Sequence, residues 1–95
     1  MPAAHRQQDI CTGHGCFPPR PNASWSGNVI VNNKGWHRDT DSWQSHCCPP
    51  PCHGSNLCAG SPNVYVNNLQ AARIGDPVCC GSACATGSGN VFANG

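Results

Sequence analysis

Charge is scarce in this chain. Acidic and basic residues make up 9% of its 95 residues, and the formal net charge is +1. A nucleic-acid binder would show a basic patch. A solvated disordered chain would carry more charge and less apolar content. Long apolar runs are missing as well. None reaches the length of a transmembrane helix, and the opening MPAAHRQQD has no apolar segment of signal-peptide type. The expected location is therefore the cytoplasm, until the protein is assembled or exported. No window shows a helical apolar period, so helix is expected in one turn at most. Hydrophobic residues are 38% of the chain, and that figure already counts nine cysteines. A core this poor in a domain this small calls for a staple: disulfides, a metal or a partner.

Turn formers are plentiful, with 11 Gly and 9 Pro, which favours short strands and tight turns. One phrase occurs three times: SGNVIVNN (Ser26 to Asn33), GSPNVYVNN (Gly60 to Asn68) and GSGNVFANG (Gly87 to Gly95). Internal repeats decide architecture, so they come first. With Ser26, Ser61 and Ser88 in register, Asn28, Asn63 and Asn90 coincide, followed by Val29, Val64 and Val91. Between the first two copies Arg38 falls on Arg73 and Asp41 on Asp76. PAAHRQQD resembles QAARIGD with one residue inserted and reads as the tail of a preceding unit. The alternation predicts Val64 and Val66 on one face with Tyr65 on the other, and Val91 and Ala93 opposite Phe92. Asn32-Asn33 and Asn67-Asn68 stand where hairpin turns need positive φ. The expected fold is all-β: three hairpin-like units with long loops, arranged with approximate three-fold symmetry.

Upstream of each turn lies a soft or borderline ligand followed by Gly: His14-Gly15, His53-Gly54 and Cys80-Gly81. Three-fold packing would bring His14, His53 and Cys80 together near the axis. His46 is the natural fourth ligand, because it follows Asp41 as His14 follows Asp9. Three imidazoles and one thiolate suit tetrahedral Zn²⁺ in a closed structural site. Cys79 beside Cys80, and Cys47 beside His46, are competing thiols; repeat register favours Cys80. His5 and His37 have no equivalent placement and read as non-ligands. Nine cysteines also raise a disulfide scaffold. The odd count and the missing signal peptide weigh against it and favour reduced thiols, most of them small buried hydrophobes. Trp25, Trp36 and Trp43 all fall in the first unit and are expected to pack its long loop against the body. Asp41 and Asp76 are expected to bond loop backbone, and Arg38 and Arg73 to cover strand edges.

The stretches PAAH, GHGCFPPRPN (Gly13 to Asn22), QAARIGDPVCCGS (Gln70 to Ser82) and GSGNVFANG resemble the proline-alanine-alanine-arginine repeat (PAAR) proteins. The likeness covers nearly the whole chain and implies a single PAAR-repeat domain over 1–95. In this sequence the first motif reads with His5 in place of Arg, and GWHRDTD stands for AARIGD. The resemblance implies a small conical domain with one structural Zn²⁺ near its apex, held by His14, His46, His53 and Cys80. It also implies a partner: the trimeric β-helical spike of a type VI secretion system or contractile phage tail, capped one copy per trimer and sharpened for membrane piercing. Contact with the target membrane would be transient. The chain ends at Gly95, which leaves room for a stand-alone tip or a carrier of separate effector proteins, not for a fused toxin. An enzyme is disfavoured: no nucleophile elbow is present, and four N/S ligands leave zinc no open position. A nucleic-acid zinc knuckle is disfavoured by the lack of paired CxxC motifs. A small extracellular zinc- or disulfide-stabilised module remains the alternative.

Overall fold

The computed structural model describes residues 1–48 and 51–93. Among them there is no helix, and six short strands form three antiparallel pairs. β1 (Ile30–Val31) pairs with β2 (Lys34–Gly35), β3 (Ser42–Cys47) with β4 (Cys52–Asn56), and β5 (Tyr65–Val66) with β6 (Leu69–Gln70). The first and last pairs are the first two copies of the repeat. Each reverses on two asparagines, Asn32-Asn33 and Asn67-Asn68, with φ between 52° and 67°. Asn tolerates this left-handed region, and two such residues in succession make the hairpin turn that matches strand twist. Asn67 also ties its unit to the one before. Its Oδ1 lies 2.6 Å from Ser26 Oγ and accepts a hydrogen bond from Arg38, and its Nδ2 donates to Asn28. Asn32 makes the same set of contacts with Ser88, Arg6 and Asn90. Asn67→Val should therefore lower stability by about 2 kcal/mol, since a β-branched residue is strained at positive φ and cannot replace these bonds. The urea midpoint checks this; an unchanged midpoint would show the turn to be unconstrained.

The third copy finds its second strand at the other end of the chain. Phe92 pairs with Ala3 as Ile30 pairs with Gly35 and Tyr65 with Gln70. Ala93 N–H donates to Pro2 O and Ala4 N–H to Val91 O. Asn94 and Gly95, which align with Asn32 and Asn33 in the repeat, lie outside the described residues. The N-terminal tail thus completes the last unit and closes the three repeats into a ring. Inside it, His5 N–H donates to Ala72 O, Ala72 N–H to His37 O, and His37 N–H to His5 O. These three bonds form a closed cycle, one per unit, around the pseudo-three-fold axis.

That cycle corrects the sequence register. Arg6, not His5, stands at the position of Arg38 and Arg73, and no inserted residue is needed. His5 falls instead on His37 and Ala72. Each arginine forms an ion pair with the aspartate three residues on: Arg6–Asp9, Arg38–Asp41 and Arg73–Asp76, at 2.8–2.9 Å. Each aspartate also accepts the backbone N–H of its arginine. The third residue of each Arg-x-x-Asp turn has positive φ: Gln8, Thr40 and Gly75.

The apolar alternation is as expected. Val31, Val66 and Ala93 are buried with Ala4, Trp36 and Ala71, while Val29, Val64 and Val91 pack against them. A second cluster gathers Cys11, Trp43, Leu57, Ala72, Val78 and Cys84. The two meet where Ala71 is followed by Ala72. Gly35 belongs to the first unit alone: a Cβ there would overlap the Trp25 ring, so its absence lets Trp25 lie across β2. The molecule is elongated, 38 × 24 × 22 Å.

The preference for reduced thiols does not hold. Cys16–Cys48, Cys47–Cys52 and Cys58–Cys79 are disulfides, and Cys11, Cys80 and Cys84 are free. The pairing depends on spatial approach between residues as many as 32 apart, which an odd cysteine count does not reveal.

Candidate metal centre

His46 and His53 are register partners in the β3–β4 hairpin, which carries an irregularity between Trp43 and His46. They therefore face each other across one rung. His14 heads a tight turn closed by reciprocal backbone bonds with Phe17. Gly13 permits this turn: its φ is 73°, and a Cβ there would lie 2.5 Å from Phe17 O. Cys80 sits in the Val78–Ser82 turn, where Gly81 has a φ of 113°. The four ligand atoms of His14, His46, His53 and Cys80 lie within 4.8 Å of one another. His53 Nε2 is 2.7 Å from His46 Nε2 and 3.1 Å from His14 Nε2.

The donor set fits a metal ion. His46 gives its Nδ1 proton to Pro18 O at 2.8 Å. That fixes the tautomer and leaves Nε2 bare toward the cluster, the usual support for a ligating histidine. Burial pushes the Cys80 thiol up, but hydrogen bonds from Ser82, Arg20 and His53 outweigh it and hold the thiol at about 5. The sulfur is therefore a thiolate at neutral pH, the form that binds metals. Ligand bonds of about 2.0–2.1 Å to nitrogen put tetrahedral neighbours roughly 3.3 Å apart. Cys79 is engaged with Cys58 and Cys47 with Cys52, so of the competing thiols only Cys80 is free.

Residues 9–86 match the PAAR motif family. The chain belongs to that family. PAAR proteins are structural, not enzymatic, and form the tips of the spikes of contractile injection systems. No curated protein gave a significant match. In this PAAR protein the cluster of three histidines and a cysteine could hold a metal ion.

Two neighbours of the cluster were not singled out in the sequence. Phe17 packs against all three imidazoles, with ring centroids 4.3–5.0 Å away; His46 is buried, and His14 and His53 are half-buried. Arg20 is 5% exposed. It donates to Cys11 Sγ at 2.9 Å, Cys80 Sγ at 3.4 Å, Ser82 Oγ and Gln44 O, and its guanidinium carbon stands 5.0 Å from the Trp43 ring centroid. It forms no ion pair with a carboxylate among the described residues. Arg20 lies outside the repeat register, so symmetry gave no pointer to it.

His5 and His37 are not in the cluster. Their Nδ1 protons go to the equivalent carbonyls of Thr86 and Ser24, each at 2.7 Å. Trp36 and Trp43 are buried and Trp25 half-buried, so the tryptophans pack the first unit as expected.

Proposed function

We propose that this chain is a one-domain spike tip, residues 1–95, holding one structural Zn²⁺ through His14, His46, His53 and Cys80. It caps the end of a trimeric β-helical spike in a type VI secretion or phage-tail machine, one copy per trimer, and makes a rigid point for piercing a membrane. The observation that carries this reading is the cyclic closure of three repeats. One chain presents a three-fold face, and a three-fold partner is the natural match for it. Ile30, Tyr65 and Phe92 occupy equivalent outward positions and are 56%, 57% and 49% exposed. Three apolar groups in equivalent places are the kind of contact that a three-fold spike end could cover. Before assembly the protein resides in the cytoplasm; afterwards it rides at the tip, where separate effectors can accompany it.

Mixing the protein with its spike trimer should give a complex of one copy per trimer by native mass spectrometry. A complex of three copies per trimer would overturn the symmetry argument. The three disulfides favour one other reading, a small extracellular interaction module. A zinc-free chain that ignores the spike would support that alternative.

A further inference from the structure

Cys11 and Cys84 face each other across an isolated antiparallel bridge. Ala85 N–H donates to Ile10 O and Thr12 N–H to Ala83 O, both on the flanking rungs. This pattern makes Cys11 and Cys84 a non-hydrogen-bonded pair, the closer of the two kinds, with side chains on one face. Its usual Cα separation, about 4.5 Å, falls within the range that disulfides span. The same molecule already closes a disulfide between opposed residues of an antiparallel pair, Cys47 and Cys52, with Cα atoms 4.1 Å apart. Cys11 and Cys84 are also packed in one buried cluster, at 0% and 1% exposure.

We propose that Cys11 and Cys84 are a fourth disulfide-forming pair, which on oxidation ties the first repeat unit covalently to the third. The bond would close the ring on the side of the second apolar cluster, where the first and third units meet through this isolated bridge. It would also account for the cysteine count: eight in pairs, with Cys80 alone left as a thiol.

The oxidant is a small-molecule disulfide such as glutathione disulfide. The Cys11 thiolate attacks one of its sulfurs, forming a mixed disulfide and releasing one glutathione thiolate. That thiolate takes the Cys84 proton. Cys84 then attacks Cys11 Sγ and expels the second glutathione. Two protein thiols are oxidised to one disulfide, and one glutathione disulfide is reduced to two thiols. Both protein sulfurs are buried, so the exchange takes place while the chain folds.

The test is refolding of the full chain in an oxidising glutathione buffer, followed by denaturation, alkylation and peptide mapping without reductant. The expected result is alkylation at Cys80 alone and a linked peptide pair carrying Cys11 and Cys84. Full alkylation of Cys11 and Cys84, or a link from either to any other cysteine, would overturn the proposal. The Cys11→Ser/Cys84→Ser variant controls for folding. It should keep the other three bridges but unfold at a lower urea concentration than the oxidised parent; an equal midpoint in the two proteins would count against a covalent tie between the units.

Discussion

Zinc chelation together with disulfide reduction should unfold this protein, while either treatment alone should leave it folded. Every residue of the proposed zinc site lies within two positions of a disulfide cysteine. His14 is followed by Cys16, His46 by Cys47 and Cys48, His53 is preceded by Cys52, and Cys80 by Cys79. Cys16–Cys48 joins the His14 loop to the His46 strand, and Cys47–Cys52 closes the rung beside His46 and His53. Metal and covalent bonds therefore pin the same loops. A structural zinc is worth on the order of 10 kcal/mol. Disulfides closing separations of 32 and 21 residues contribute about 3 kcal/mol each in the chain-entropy account. Small domains have only about 5–15 kcal/mol of net stability. Because metal and disulfides hold the same loops, loss of one set while the other remains costs only part of its full value; losing both removes more than the fold can spare.

His53→Ala separates the two contributions. The variant should carry much less than one zinc per chain by elemental analysis. Oxidised, it should remain folded with a melting temperature lowered by 10 °C or more, since each kcal/mol shifts Tm by about 4–8 °C at this size. Reduced, it should lose its cooperative transition. A variant that still binds one zinc would remove His53 from the site. A chelated and reduced wild-type protein that still melts cooperatively would show that neither staple is needed.

The parts of this molecule that repeat were legible in the sequence, and the parts that do not were not. Ser-x-Asn-Val specifies one local turn three times. Ser26, Ser61 and Ser88 each accept the backbone N–H groups two and three residues on. The Asn-Asn pairs announce their turns by residue type. Register alone also placed His14, His53 and Cys80 at equivalent points, and the structure brings these together with His46. The closure between Pro2–Ala4 and Val91–Ala93 was only half visible. The N-terminus read as the tail of a unit, but its partner strand lay at the far end of the chain. The register of Arg6 was misread because the eye follows PAA, whereas the constraint is the Arg-x-x-Asp ion pair. Disulfide connectivity, Phe17 and Arg20 depend on contacts between loops that no local rule encodes.

Acid should weaken the fold well above the range of ordinary carboxylate titration. His5 and His37 are fully buried around Trp43, with ring centroids 5.2 and 5.1 Å from the indole, and 5.4 Å from each other. Both rings are held neutral by geometry. Each Nδ1–H is given to a carbonyl, and His5 Nε2 accepts from Asn22 Nδ2 at 3.0 Å. His37 Nε2 has no hydrogen-bond partner among the described residues. Burial lowers both, against the opposing pull of the carbonyl bonds and of Asp9 and Asp41; His37 falls to about 4. The unfolded chain takes up these protons near the ordinary value of 6.5, and the folded chain declines them. Stability is therefore full above pH 6.5 and falls as pH drops from there toward 4. For His37 alone the loss by pH 4 is about 3 kcal/mol. Asp9, held below its ordinary value by Arg6 despite burial, adds a further loss at lower pH still. Urea unfolding of the oxidised, zinc-free protein should show the decline. His37→Asn should flatten it between pH 6.5 and 4.5 relative to the parent, because the proton-accepting ring is gone. Side-chain NMR gives the direct reading: a His37 ring that protonates at or above pH 6.5 in the folded protein would refute the account, since such a group would stabilise the fold in acid instead of weakening it.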